Sequence, residues 1–234
     1  MSNTNVDQHE LDKFQSIANR WWDTESEFKT LHDINPLRVR YIDTQCGGLE
    51  GKKVLDIGCG GGILAEAMAT RGAQVTGIDM AEQSLEVARL HLLESGLKVD
   101  YQPAMAEDFC AQNAGEYDVV TCLELLEHVP DPYSIVFAAA QALKPGGTLV
   151  LSTLNRNPKA YLLAIVGAEY IMRMLPRGTH DFKKFVKPSE LARAARMANL
   201  QVQDITGMSY NPISRDYHLS QDVDVNYLMA CCPA

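Results

Sequence analysis

The chain has 234 residues, 46% hydrophobic and 22% charged, with a net charge of −9, which suits one sizeable core and argues against a nucleic-acid backbone as partner. No uncharged apolar run reaches the roughly 18–20 residues that span a bilayer, and the polar opening "MSNTNVDQHE" lacks the cationic and apolar regions of a secretory signal. Six cysteines (46, 59, 110, 122, 231, 232) show no C-x-x-C spacing, so free thiols in a reducing cytoplasm are expected.

The first fifty residues read as a helical cap. Phe14, Ile17, Ala18 and Trp21 recur at helical spacing after Asp7, a candidate N-cap with Glu10 three positions on. Short apolar runs then alternate with helical patterns. "KKVLDIG" (52–58) leads into a helix through residue 71, and "AQVTGID" (73–79) into a helix over 81–94. Strands follow at "KVDYQ" (98–102) and "YDVVTCL" (117–123), then a helix over 133–143 and the strand "GTLVLST" (147–153). β-Branched runs separated by helices predict parallel strands with crossovers, an α/β doubly wound Rossmann-like sheet. After a helix over 188–199, "LQVQDITGM" and "VDVNYLMAC" have no helical pattern between them and predict an antiparallel pair at the sheet edge.

"VLDIGCGGGILAEAMA" sets Gly58, Gly60, Gly61 and Gly62 between the first strand and its helix. Such a loop lets a ligand approach the backbone closely. The dinucleotide fingerprint would need Gly or Ala at position 63, where Ile63 stands, so a pyrophosphate site is the weaker reading. Asp79 ends the second strand, where a carboxylate can bind a ribose diol; it can also cap the next helix, and one residue can do both.

"LDIGCGGG", "GIDM", "YDVVTCLELLEHVPDP" and "LKPGGTLVLSTLNRN" resemble class I methyltransferases that use S-adenosylmethionine. With "RWWD", "INPLRVRYI", "GAEYIMRMLPRGTHD" and "DVNY", the chain from about residue 19 to 227 is similar to the ubiquinone-biosynthesis O-methyltransferase family. That resemblance implies a seven-stranded sheet with its last pair antiparallel. It implies methylation of ring hydroxyls of polyprenylated catechols and hydroxyquinols. It also implies cofactor contacts at Arg38, Gly58, Asp79 and Leu123, with Gly60 in the same loop. Arg38 would clamp the methionyl carboxylate with its planar charged fork.

Strand four ends at Leu123, so 124–128 should line the cleft. If these residues form a helical turn, Glu124, Glu127 and His128 share one face, and Pro130 and Pro132 end it. A phenol titrates near pH 10, so its proton must be removed or drawn away as the methyl arrives. Either His128 is a general base, or Glu124, Glu127 and His128 hold a divalent cation that lowers the phenol pKa. The resemblance supports a magnesium-like ion (Mg2+) at these positions, although histidine is an atypical ligand for so hard an ion.

Residues 155–187 hold seven Lys/Arg and two Asp/Glu, while the rest of the chain holds 14 and 28. This basic segment after the fifth strand, with an apolar stretch over 160–175 that includes Glu169 and Arg173, is expected to be a helical insertion. It is read as both a substrate lid and a docking element for an anionic membrane surface. Its Lys159, Arg177, Lys183, Lys184 and Lys187 supply charge, and His180 and Asp181 are secondary candidates for the site.

The expectation is a single methyltransferase domain over 1–234, with a cap over 1–50 and a lid over 155–187. It would be cytoplasmic, peripheral on the inner face of the membrane, and a candidate partner of other quinone-biosynthesis enzymes. Two alternatives stand beside it: a nicotinamide-dependent oxidoreductase, and a non-catalytic cofactor-binding subunit of a membrane quinone-biosynthesis complex.

Overall fold

A computed structural model of the chain describes residues 5–162, 181–211, 214 and 216–234. Helix α1 spans Gln8–Ser16, and its N-cap is Asp7, whose side chain accepts from the backbone N–H groups of His9 and Glu10. The helical spacing that continues to Trp21 in the sequence is interrupted after Ser16. A 3-10 turn, Ala18–Arg20, follows, and α2 spans Lys29–Gln45.

Five strands then alternate with helices: β1 Lys53–Ile57, β2 Gln74–Asp79, β3 Val99–Pro103, β4 Tyr117–Leu123 and β5 Leu143–Leu154, pairing in parallel. The intervening helices are α3 Ile63–Ala69, α4 Glu82–Ser95, α5 Ala106–Gln112 and α6 Pro132–Ala142. The short α5 was not legible in the spacing of its residues. α6 starts where Asp131 caps the N–H groups of Tyr133 and Ser134 and Pro132 fills the first turn.

After β5 come a short turn α7, Pro158–Ala160, then α8 Pro188–Met197 and three antiparallel strands: β6 Leu200–Asn211, β7 Asp216–Ser220 and β8 Asn226–Pro233. The sheet order is β3-β2-β1-β4-β5-β8-β6-β7. It has eight strands rather than seven because β6 extends to Asn211 and folds back on β7 as an edge hairpin. β8 inserts between β5 and β6, antiparallel to both. Gly207 lies in β6 where a side chain would collide with the backbone carbonyl of Asp222, so that close approach requires glycine.

The strand order reverses between β1 and β4, which opens a crevice at their carboxyl ends. Both faces of the sheet are covered. Phe109, Ile135, Val136 and Leu191 bury against one face and Ile42, Leu64 and Leu85 against the other. β4 is buried at nearly every position, which is why its sequence reads as a continuous apolar run rather than an alternation.

The expected insertion helix, including Glu169, Arg173, Arg177 and His180, lies outside the described residues. Its two ends are described and meet each other. Tyr161 and Phe182 are edge to face at 5.4 Å, Phe182 and Phe185 at 5.7 Å, and Phe185 is buried with Leu154 and Ala160. Among the described residues, no helix is long and apolar enough to cross a membrane.

Candidate active site at the ends of β1 and β4

A cavity of about 890 Å3 occupies the crevice, lined by the ends of β1, β2 and β4 and roofed by α1 and the residues before α2. Its floor is the glycine loop. Gly58, Gly60 and Gly62 all have positive φ, at 73°, 51° and 88°, a turn that side chains would strain. The Gly58 and Cys59 N–H groups donate to the Ile78 carbonyl, which ties the loop to β2.

The tip of β2 closes the same corner. Asp79 accepts from the Gly60 N–H at 2.8 Å through Oδ2 and from the Ala81 N–H at 2.7 Å through Oδ1. Asp79 is not the cap considered for the next helix, since α4 starts at Glu82 with Ala81 as its N-cap and no side-chain cap bond; Asp79 instead holds the turn before it. Each carboxylate oxygen keeps a further acceptor site, so the geometry also fits a diol. Burial raises the Asp79 pKa, and the backbone N–H donors oppose that rise.

Arg38 reaches in from α2 and is 4% exposed. Its Nη2 lies 3.1 Å from Glu124 Oε1, but the pair is not aligned as a hydrogen bond. Nη2 has this ion pair alone, and Nε is buried without an acceptor. A buried guanidinium with unused donors facing a cavity is matched to an anionic ligand group. Leu123, the last residue of β4, lines the wall.

Asp56, in β1, went unremarked in the sequence. It is 2% exposed, its Oδ1 accepts from Thr121 Oγ1 at 2.7 Å, and its Oδ2 has no partner. Burial pushes its pKa up to about 7. A carboxylate among the apolar residues of "KVLDI" was the available signal, because buried charges in strands are rarely idle.

The stretch 124–128 departs from the expected turn. Only Leu126–His128 form a 3-10 turn, and Glu124 adopts the left-handed region at φ 56°. The three polar side chains consequently share no partner. Glu124 Oε1 accepts from Ser152 Oγ at 2.9 Å and Asn226 Nδ2 at 3.3 Å. Burial alone would raise its pKa, but Arg38 and these donors lower it on balance. Glu127 is 4% exposed and accepts from Thr153 Oγ1 at 2.8 Å; burial, with the nearby Glu124 charge, pushes it up to about 7. His128 Nδ1 lies 2.9 Å from Glu10 Oε2.

The expected sharing of one face by Glu124, Glu127 and His128 is therefore corrected. Among the described residues no three His, Cys, Asp or Glu side chains form a group able to hold a metal ion. The Arg38 cation pairs with Glu124 at 3.1 Å. As placed, the three side chains are not gathered around one point where an ion would sit.

The aromatic pair of "RWWD" carries more than its sequence suggested. Trp21 lies across the glycine loop, so that a Cβ on Gly60 would come within 2.6 Å of its ring. It stacks on Phe28 at 3.9 Å and donates to Ser84 Oγ at 3.0 Å. Trp22 donates to the Gly61 carbonyl and stacks on His91 at 3.4 Å. The glycines thus accommodate a protein ring as well as a ligand.

A methyltransferase-domain family model matches residues 34–205. The chain is 63% identical over 227 residues to the ubiquinone biosynthesis O-methyltransferase of Thiobacillus denitrificans, covering 97% of each chain. It is also 63% identical over 226 residues to the enzyme of that name from Pseudomonas aeruginosa, again covering 97% of each. In fold it is similar to the magnesium protoporphyrin IX methyltransferase of Synechocystis, solved with S-adenosylhomocysteine bound. The TM-score is 0.69 at 20% identity, covering 97% of this chain and 99% of that one. These likenesses favour a methyltransferase over a nicotinamide enzyme or a non-catalytic subunit. Glycine loop, acidic β2 tip, arginine on α2 and near-full-length identity agree, and the chain belongs to the ubiquinone biosynthesis O-methyltransferase family of methyltransferase-domain proteins.

Proposed function

We infer that the chain transfers a methyl group from S-adenosylmethionine to a ring hydroxyl of a polyprenylated catechol or hydroxyquinol. When bound, the cofactor supplies an electrophilic sulfonium methyl. The observation that carries the assignment of its pocket is Arg38, a buried cation on the cavity wall with the glycine loop, whose Nε lacks an acceptor. Arg38 binds the methionyl carboxylate, Gly58 and Gly60 give the backbone room, Asp79 takes the ribose diol, and Leu123 contributes apolar contact. Asp56 Oδ2, unpartnered on the same wall, suits the methionyl ammonium.

On the acceptor side, His128 removes the phenol proton as the new O–CH3 bond forms and the S–CH3 bond breaks. Its place on the cavity wall, one turn beyond Leu123, supports this role. Glu124 holds the Arg38 charge in place. No step is routed through a metal.

The substrate's prenyl tail and the +5 balance of residues 155–187 support a peripheral site on an anionic membrane surface. Tyr161 and Leu162, exposed at the start of that segment, add apolar contact. Flotation with liposomes tests this part: anionic vesicles should carry the protein upward and neutral ones should not. Turnover of a short-chain catechol with radiolabelled S-adenosylmethionine tests the reaction. Label recovered in an aryl methyl ether is expected, and none with any catechol or hydroxyquinol would end the assignment.

A further inference from the structure

The closest polar partner of His128 comes from the far end of the chain. Glu10, on α1, puts Oε2 2.9 Å from His128 Nδ1, and both side chains are largely shielded from water, at 17% and 13% exposure. Phe14, one turn further along the same helix, meets the imidazole edge to face at 5.2 Å, so the ring is held by a carboxylate and an aromatic from a single element. Since Glu10 is ionised, Nδ1 must carry the hydrogen and donate it, which leaves Nε2 as the acceptor. The position of α1 is itself set from several sides. Asn5 Nδ2 donates to Glu107, to the Asp131 carbonyl and to Ser134, and the N-cap Asp7 pairs with Lys184 at 2.7 Å.

We propose that Glu10 is the positioning residue of the methyl-transfer reaction, fixing the tautomer of His128 that presents Nε2 to the substrate hydroxyl and holding the imidazolium that forms. This rests on the reading of His128 as the base. In the step, the hydroxyl proton passes to Nε2 as the oxygen takes the methyl and the sulfur keeps the S–C electron pair. S-adenosylhomocysteine leaves neutral, and the positive charge of the sulfonium ends on His128, doubly protonated, with Nδ1–H still donated to Glu10. Glu10 takes up no proton; its contribution is a fixed negative charge and a fixed acceptor, the role an aspartate has behind the histidine of a serine-protease triad.

The charged groups around this pair are few enough to name. On α1, Lys13 lies 3.5 Å from Glu10 Oε2. Lys184, paired to Asp7, also acts on Glu10, and Glu127 is next to His128 in its own turn. The hydrogen bond with His128, with smaller help from Lys13 and Lys184, outweighs burial and holds the Glu10 pKa low, so it is available as a permanent acceptor.

Steady-state kinetics on Glu10→Gln, Glu10→Asp and His128→Ala, with S-adenosylhomocysteine affinity and melting temperature measured alongside, test the proposal. Gln keeps the size and an acceptor oxygen but loses the charge. The expected result is a 10- to 100-fold lower kcat, with the KM for S-adenosylmethionine, the product affinity and the melting temperature near those of the parent. Glu10→Asp should recover part of kcat. In a His128→Ala background, Glu10→Gln should lower kcat no further. Unchanged kcat in Glu10→Gln while His128→Ala is inactive would overturn the proposal and leave the base intact. Equal losses of kcat and cofactor affinity would also overturn it, assigning Glu10 a purely structural part. Full turnover in His128→Ala would instead remove the base itself.

Discussion

Arg38 Nη2 and Glu124 Oε1 stand 3.1 Å apart in the buried wall of the cavity without the alignment of a hydrogen bond. The carboxylate neutralises the guanidinium while leaving its donors directed elsewhere. Lysine carries the same charge without the fork, so Arg38→Lys should keep Glu124 neutralised yet lose the bidentate grip. The expected outcome is a roughly 10- to 100-fold weaker S-adenosylhomocysteine affinity by calorimetry, about 1.4–2.8 kcal/mol, with a small change in melting temperature.

Turnover should fall about 10²–10⁴-fold in His128→Ala, the usual range for a lost general base. Cofactor affinity should hold, because the partners of His128 are Glu10 and Phe14 rather than the glycine loop. With His128 as the base and no cation in the step, activity in buffer freed of metal by a strong chelator should match the control.

Glu127 gives a pH signature. Its pKa in the folded chain, about 7, lies above the ordinary 4.5, so between those values the native state holds a proton that the unfolded state has released. Its contribution to stability is therefore intact below about 4.5 and declines as pH rises towards 7. Asp56, also near 7, acts in the same direction. Urea midpoints for Glu127→Gln should decline less over this window than those of the parent, by on the order of 1–3 kcal/mol.

Trp21 and Gly61 should be energetically coupled. Gly61→Ala pushes a methyl into the indole, and Trp21→Ala removes a ring that packs on Phe28 and the loop, costing about 2–4 kcal/mol. The double variant should be more stable than the sum of the single losses predicts, by about 0.5–3 kcal/mol in a denaturation cycle. Strict additivity would mean that the clash is relieved elsewhere.

Local pattern made much of this architecture readable. β1, β2 and β4 are short β-branched runs with glycine or a carboxylate at their ends, and their positions follow from the period of apolar residues alone. Gly58, Gly60, Asp79 and Leu123 inherit their places from those strands. What could not be read depends on contacts distant in sequence. Glu10 meets His128 across 118 residues, and nothing in either segment names the other. β7, with Asp216 and His218 in a five-residue run, is a strand because β6 offers it an edge, not because its residues prefer one. The left-handed backbone of Glu124 is a further case. A run such as "LELLEH" reads as helix, yet the Glu124 N–H is taken by the Ser152 carbonyl at the end of β5, and that bond draws the chain out of helical geometry.

Asp7 serves two structures at once, starting α1 with its backbone bonds and binding Lys184 with its other oxygen. The N-terminal roof and the far end of the basic segment are thus fastened by one carboxylate at a seam that water reaches. Ions compete directly for such a clasp, so rising ionic strength should weaken the tie between α1 and the residues before α8.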